Sequence, residues 1–156
     1  MFRKMRRIGQ QLSDEECIKI LESEPRGVLA VNGEDGYPYA LPIDYIYLDG
    51  KLYFHCAKSG HKLDAIRADG RVSFCVMDKG YVKEGEWALN IKSVIVFGRI
   101  SIVEDETERK ELVRKIGLKY YPTAEAVDNL IARAIDRIEI LEMTVDHMTG
   151  KLVNES

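Results

Sequence analysis

Cysteine is scarce in this chain: Cys17, Cys56 and Cys75 are odd in number and lie far apart. That excludes a disulfide-stapled scaffold and fits reduced thiols in a cytoplasmic setting. No apolar run approaches the roughly 18 residues of a membrane-spanning helix, so no membrane partner is expected. The basic opening "MFRKMRRIGQ" is not followed by the apolar stretch of a secretory signal. Positive charge is not in excess either. The formal net charge is −3, which argues against nucleic acid as a partner. Cys-x-x-Cys and His-x-x-x-His spacings are missing, so no metal site is expected. Hydrolysis finds no support in a Ser-His-Asp order or a carboxylate pair.

What remains is an ordinary globular composition, 46% hydrophobic and 31% charged. Its 156 residues are most simply one domain spanning 1–156 without a linker. "LSDEECIKILESEP" puts Ser13 and Glu16 at capping-box spacing, with Leu12 set to staple onto Cys17 and Pro25 past the end; a short helix is predicted. The period then shortens. "RGVLAVN" reads as a strand and "GEDG" as a turn. "YPYALPIDYIYL" reads as a second strand containing Pro38 and Pro42. Proline donates nothing to a ladder, so this strand should be edge-like, bulged or unpaired on one side.

Asp49-Gly50 is a hairpin signal before "KLYFHC". "GHKLDAIRADG" predicts a short helix with Gly70 as its C′ glycine. "RVSFCVM" reads as a strand, and "DKGYVKEGEWALNIK" as a loop around the only tryptophan, Trp87. "SVIVFGRISIVE" is a long strand, bulged or bent at Gly98. Helices follow over Glu108 to Lys119, capped from Asp105, and from Thr123 onward. "IEILEMTV" alternates as a last strand, and "DHMTGKLVNES" reads as a turn and tail. Four to six antiparallel strands with short helices make a mainly β, α+β fold, a small and partly open β-barrel.

Most of the chemistry sits in "YFHCAKSGHK". A strand running into a helix start places Ser59, Gly60, His61 and Lys62 at a helix N-terminus. Free N–H groups, the helix dipole and the Lys62 charge suit a phosphate there. The alternative is a solvated basic turn with Ser59 as an ordinary N-cap. His55 is the candidate for proton transfer, because its ordinary pKa lies near neutrality; a packing histidine is the other reading. Neighbouring strand residues face opposite ways, so His55 and Cys56 do not chelate together. Cys56 reads equally well as a small buried apolar side chain. The tyrosines and prolines of "YPYALPIDYIY" either wall a slot for a flat ring or simply face the core.

"MFRKMRR", "GYPYALPIDYIY", "LYFHCAKSGHKLDAIRADGRVSFCV", "KSVIVFGRISIVED" and "HMTGK" together resemble the FMN-binding split-barrel superfamily. Within it they resemble the nitroimidazole-resistance (Nim-type) branch related to pyridoxamine 5'-phosphate oxidase. The resemblance implies a split β-barrel of the FMN-binding type, paired as a homodimer with FMN at the interface. It implies a phosphate held by His61 and Lys62 with Ser59 nearby. The flavin edge would lie along Tyr39, Leu41, Pro42, Ile43 and Asp44, with His55 and Cys56 bordering the ribityl chain or ring. Ser93 and Val94 would come from the partner subunit. The implied activity is an FMN-dependent oxidoreductase that reduces small oxidants such as nitroaromatics, with NADH or NADPH as electron donor. A non-catalytic flavin- or haem-binding protein is the alternative. True pyridoxamine phosphate oxidases carry a C-terminal segment rich in tryptophan and arginine. "DHMTGKLVNES" has no counterpart to it, so pyridoxal phosphate synthesis is not expected.

Overall fold

Apolar residues alternating at period two direct one face of each long strand inward, and six such strands close on themselves. The structure is a computed structural model that describes residues 1–154. Its long strands are β2 (Arg26–Asn32), β3 (Pro38–Leu48), β4 (Lys51–Ala57), β5 (Arg71–Met77), β7 (Leu89–Ile102) and β8 (Ile138–Asn154). Two short strands, β1 (Gln11–Leu12) and β6 (Tyr81–Val82), extend the sheet. The helices are α1 (Asp14–Ser23), α2 (His61–Ala68), α3 (Glu106–Tyr120) and α4 (Ala124–Ala134). Sheet order is β1-β8-β4-β3-β2-β5-β7-β6, and a β7–β8 ladder shuts the ring.

The predicted capping box opens α1. The Ser13 N–H donates to Glu16 Oε2 at 3.0 Å, and the Glu16 N–H donates to Ser13 Oγ at 3.2 Å. Leu12 and Cys17 both press on Gly150, where an added Cβ would lie 2.4 Å from Cys17 Sγ. Inside the barrel, Phe74 meets Tyr45 and Phe54 edge-on, with centroids 4.9 and 5.1 Å apart. Such contacts add to the burial of the rings themselves.

A second apolar layer lies outside the barrel, where Leu112, Val113 and Ile116 of α3 cover Ile46, Tyr53 and Ile140. Arg109, 3% exposed, ties α3 down. Its guanidinium donates to the carbonyls of Ile135 and Ile138 at 2.7 and 2.6 Å and to Glu106 at 2.8 Å. Helices α3 and α4 touch at Gly117, where a Cβ would sit 2.7 Å from Val127 Cγ1.

Several expectations change. The segment 146–154 is not a turn and tail but the second half of β8, laddered to β7 as far as Asn90–Asn154; Glu155 and Ser156 lie outside the described residues. Asp146 is the extra residue of a bulge opposite Phe97 and Gly98. The bulge flips the side-chain alternation, so Met143 and Val145 point inward before it, and Met148 and Leu152 after it. The region after Asp78 is only partly loop, since it holds β6 and the first residues of β7. Gly70 is not a left-handed cap. It allows close approach to Ile100, whose N–H donates to the Gly70 carbonyl at 2.8 Å, and Asp69 ends the helix. The bulge at Gly98 and one-sided pairing of the proline strand are as expected.

Candidate functional site

The split in the barrel follows from register. Strands β3 and β4 pair from Leu48–Lys51 as far as Tyr45–Phe54. The next positions, Asp44 and His55, are where the strands part. Beyond this fork β4 continues against β8 through Ala57, whereas residues 38–44 of β3 pair only with β2. Pro38 and Pro42 stand four residues apart on that ladder, so their nitrogens face the same side. Backbone groups of alternate strand residues point to alternate sides. The Tyr45 N–H points toward the β2 side, where it donates to the Tyr120 hydroxyl at 2.9 Å, beside the Pro25 carbonyl. The even-numbered residues therefore face the gap, which offers the N–H groups of Ala40 and Asp44 and no donor at either proline.

Helix α2 begins on the same side of the molecule. Its N-cap is Gly60 at φ 137°, with no side chain capping the first N–H groups. Ser59 therefore does not act as the N-cap. The His61 ring stacks on Tyr39 at 4.3 Å, which joins the helix start to the free edge. Lys62 is half-buried, while Ser59 and His61 are exposed.

Two hollows meet at the fork. A groove of about 250 Å³ runs along Pro42 and Ile43 to Asp44 and His55. A cavity of about 340 Å³ lies beneath α3 and α4 and shares Arg26, Asp44 and His55 with the groove. Arg26 Nε donates to Asp44 Oδ1 at 2.8 Å. His55 is open to solvent on one side, yet it titrates below the usual imidazole range. Desolvation by the cleft walls outweighs the Asp44 carboxylate, and the Lys62 charge pushes the same way as desolvation.

Behind the fork, Lys119 Nζ donates to the carbonyls of Glu24 and Tyr45 at 2.8 and 3.0 Å. Desolvation lowers its pKa to about 8 against the pull of Asp44 and Glu24.

Most of the predicted site residues converge. Tyr39, Leu41, Pro42, Ile43 and Asp44 line one edge, His55 stands across the fork, and Ser59, His61 and Lys62 lie at the helix start. Cys56 points into the barrel core, and burial pushes its thiol up to about 11. The Val94 side chain is wholly sealed in the core, whereas Ser93 is partly exposed on the far face of the sheet. Arg26, Lys119, Tyr120 and Tyr121 escaped the sequence reading. The helix expected over Glu108 to Lys119 gave no sign of what its end covers, and nothing local ties Arg26 to Asp44. His147, unassigned in the sequence, stacks on Phe2 at 4.7 Å and holds the basic N-terminal arm on the sheet. Among the described residues no cluster of three or more His, Cys, Asp or Glu is placed to hold a metal. Nor is any helix there long and apolar enough to cross a membrane.

An antiparallel barrel split beside an uncapped helix start defines the class of this protein as a split β-barrel with an open cleft at the fork. The chain belongs to the pyridoxamine 5'-phosphate oxidase family, whose profile matches residues 13–152. Among solved structures, an FAD-binding protein from Mesorhizobium loti is similar at 28% identity and a TM-score of 0.66, over 92% of this chain and 97% of that one. A protein named for 5-nitroimidazole antibiotic resistance, from Bacteroides thetaiotaomicron, is similar in fold at 20% identity and a TM-score of 0.76, over 92% and 87%. An FAD- and haem-binding protein from Mycobacterium smegmatis has a TM-score of 0.70 at 19% identity, over 94% and 74%. No curated protein matches the chain.

Proposed function

We propose that this protein is an FMN-dependent oxidoreductase of the nitroimidazole-resistance type, reducing small oxidants at the expense of NADH or NADPH. The observation that carries this reading is the fork at Asp44 and His55, with an uncapped helix start on the same side. A phosphorylated planar group fits these residues. Lys62 and the free N–H groups of α2 suit its phosphate, and the unpaired β3 backbone suits the polar edge of a ring. Bound flavin supplies the two-electron chemistry. His55, largely neutral at pH 7, presents one N–H donor and one acceptor nitrogen. Its protonated form, made more acidic by desolvation, is suited to deliver a proton to a reduced substrate.

A homodimer completes the site in this reading. Met77, Ile95 and Phe97 are exposed around Ser93 on the outer face of the sheet, which supports a second copy packing there. Three free cysteines, two of them buried, support a reducing, cytoplasmic location.

Reconstitution tests the reading. Purified protein should take up FMN, and NADH or NADPH should bleach the bound flavin under anaerobic conditions. A haem Soret band, or refusal of FMN, would overturn it. Lys62→Ala should weaken FMN binding roughly ten- to hundred-fold, the loss of a charge-assisted contact of ~1.5–3 kcal/mol, while riboflavin binding changes little. Unchanged discrimination between the two flavins would place the phosphate elsewhere.

A further inference from the structure

We propose that the cavity beneath the α3–α4 hairpin is the acceptor pocket, shaped for an uncharged one- or two-ring compound carrying a nitro or carbonyl oxygen. This rests on the flavin reading above. Size comes first. The cavity's 340 Å³ is about twice the ~150 Å³ void that accommodates a benzene, so one ring or two fused rings fill it.

The walls are apolar and aromatic: Val113, Ile116, Leu130 and Ile138, with Tyr120 and Tyr121. Such walls suit a flat ring. Position comes next. The cavity opens onto the β3 groove through Arg26, Asp44 and His55, which line both hollows. An occupant of the cavity therefore faces an occupant of the groove across His55.

Charge decides the class. Arg26 and Asp44 are the only permanently charged residues in the lining, and they neutralise each other at 2.8 Å. Lys119 is turned away, held by the Glu24 and Tyr45 carbonyls. The lining thus carries no net charge, and burying an unpaired charge against its apolar walls is costly. The His55 N–H and the Arg26 Nη groups, which lie outside the Nε bond to Asp44, remain as donors for a nitro or carbonyl oxygen.

Nitrobenzene and benzoate have nearly the same shape and differ in charge, which makes them the probes. With isotopically labelled methyl groups, NMR titration of the FMN-free protein should show nitrobenzene shifting the methyls of Val113, Ile116, Leu130 and Ile138. Benzoate should bind at least tenfold more weakly. Leu130→Trp, at a partly exposed position of α4, should fill the cavity and abolish the methyl response, with FMN affinity unchanged. Benzoate binding as well as nitrobenzene would overturn the charge assignment. Silent cavity methyls in a protein that binds FMN would overturn the pocket. Responding methyls in a protein that refuses FMN would support the pocket while removing the flavin reading.

Discussion

The barrel interior and the layer beneath the α3–α4 hairpin use the same apolar residue types, yet one is filled and the other is partly hollow. Inside the barrel, contacts leave no space for a single carbon. A Cβ on Gly27 would lie 2.3 Å from the Phe74 ring, and one on Gly98 would lie 1.9 Å from the Thr144 carbonyl oxygen. Beneath the hairpin, Val113, Ile116 and Leu130 border the cavity of about 340 Å³. The two regions are tied together differently. Backbone ladders hold the barrel wall on both sides of nearly every strand. Polar clamps hold the hairpin: Arg109 on two carbonyls, Lys119 on two more, and Tyr120 on Tyr45. Close packing fixes the fork in place, and clamps let a roof stand over an empty space.

Substitutions in the two regions should therefore differ in size. Phe74→Ala removes the ring at the centre of the aromatic cluster and should lower unfolding free energy by about 3–5 kcal/mol, measured by urea denaturation. A loss as small as that of a surface substitution would mean that the barrel relaxes as readily as the hairpin.

Gly117→Ala forces Val127 away from α3. Overpacking of about 1–3 kcal/mol is partly offset by alanine's helix preference of about 1 kcal/mol, leaving a net loss of at most about 2 kcal/mol. The loss should come with altered chemical shifts confined to α3, α4 and the cavity. Changes reaching Phe54 or Phe74 would show that the two regions are not separate.

The smallest effect is on pH dependence. Because the His55 pKa is lower in the folded protein than the usual 6.5, the unfolded chain takes up this proton more readily. Folded stability should fall as pH drops through 6.5 toward the folded midpoint, and His55 should contribute nothing above that window. The open face of His55 keeps this slope shallow. His55→Gln should flatten it, read as urea midpoints at pH 7.5 and 5.5; equal slopes would refute the shift.

Much of this was legible in the sequence, and the failures have physical causes. Pro38 and Pro42 announced a strand paired on one side, and Gly98 announced a bulge. The second half of β8 was hidden because Asp146 reverses the alternation, so "DHMTGK" fits neither a continuous strand nor a helix. Gly70 looked like a helix cap because local pattern cannot see Ile100, thirty residues on. The strand that carries His55 and the helix that opens at His61 were readable, since both depend on neighbours in sequence. The other half of the cleft was not. Arg26, Tyr120 and Tyr121 reach the fork only through tertiary register and the path of the hairpin.

The prolines at the gap have a consequence for self-association. An unpaired strand edge is a template on which another chain can add its own strand, the first step toward domain swapping or fibrils. A seven-residue free edge, 38–44, would be such a template if each gap-facing residue offered an N–H. Two of the four gap-facing positions, 38 and 42, carry none. An incoming strand would find only Ala40 and Asp44 as donors and would leave its own carbonyls unmatched at the prolines. The opening at the fork thus gives a stray strand little to hold, and the protein can keep its barrel unzipped without becoming a seed for aggregation.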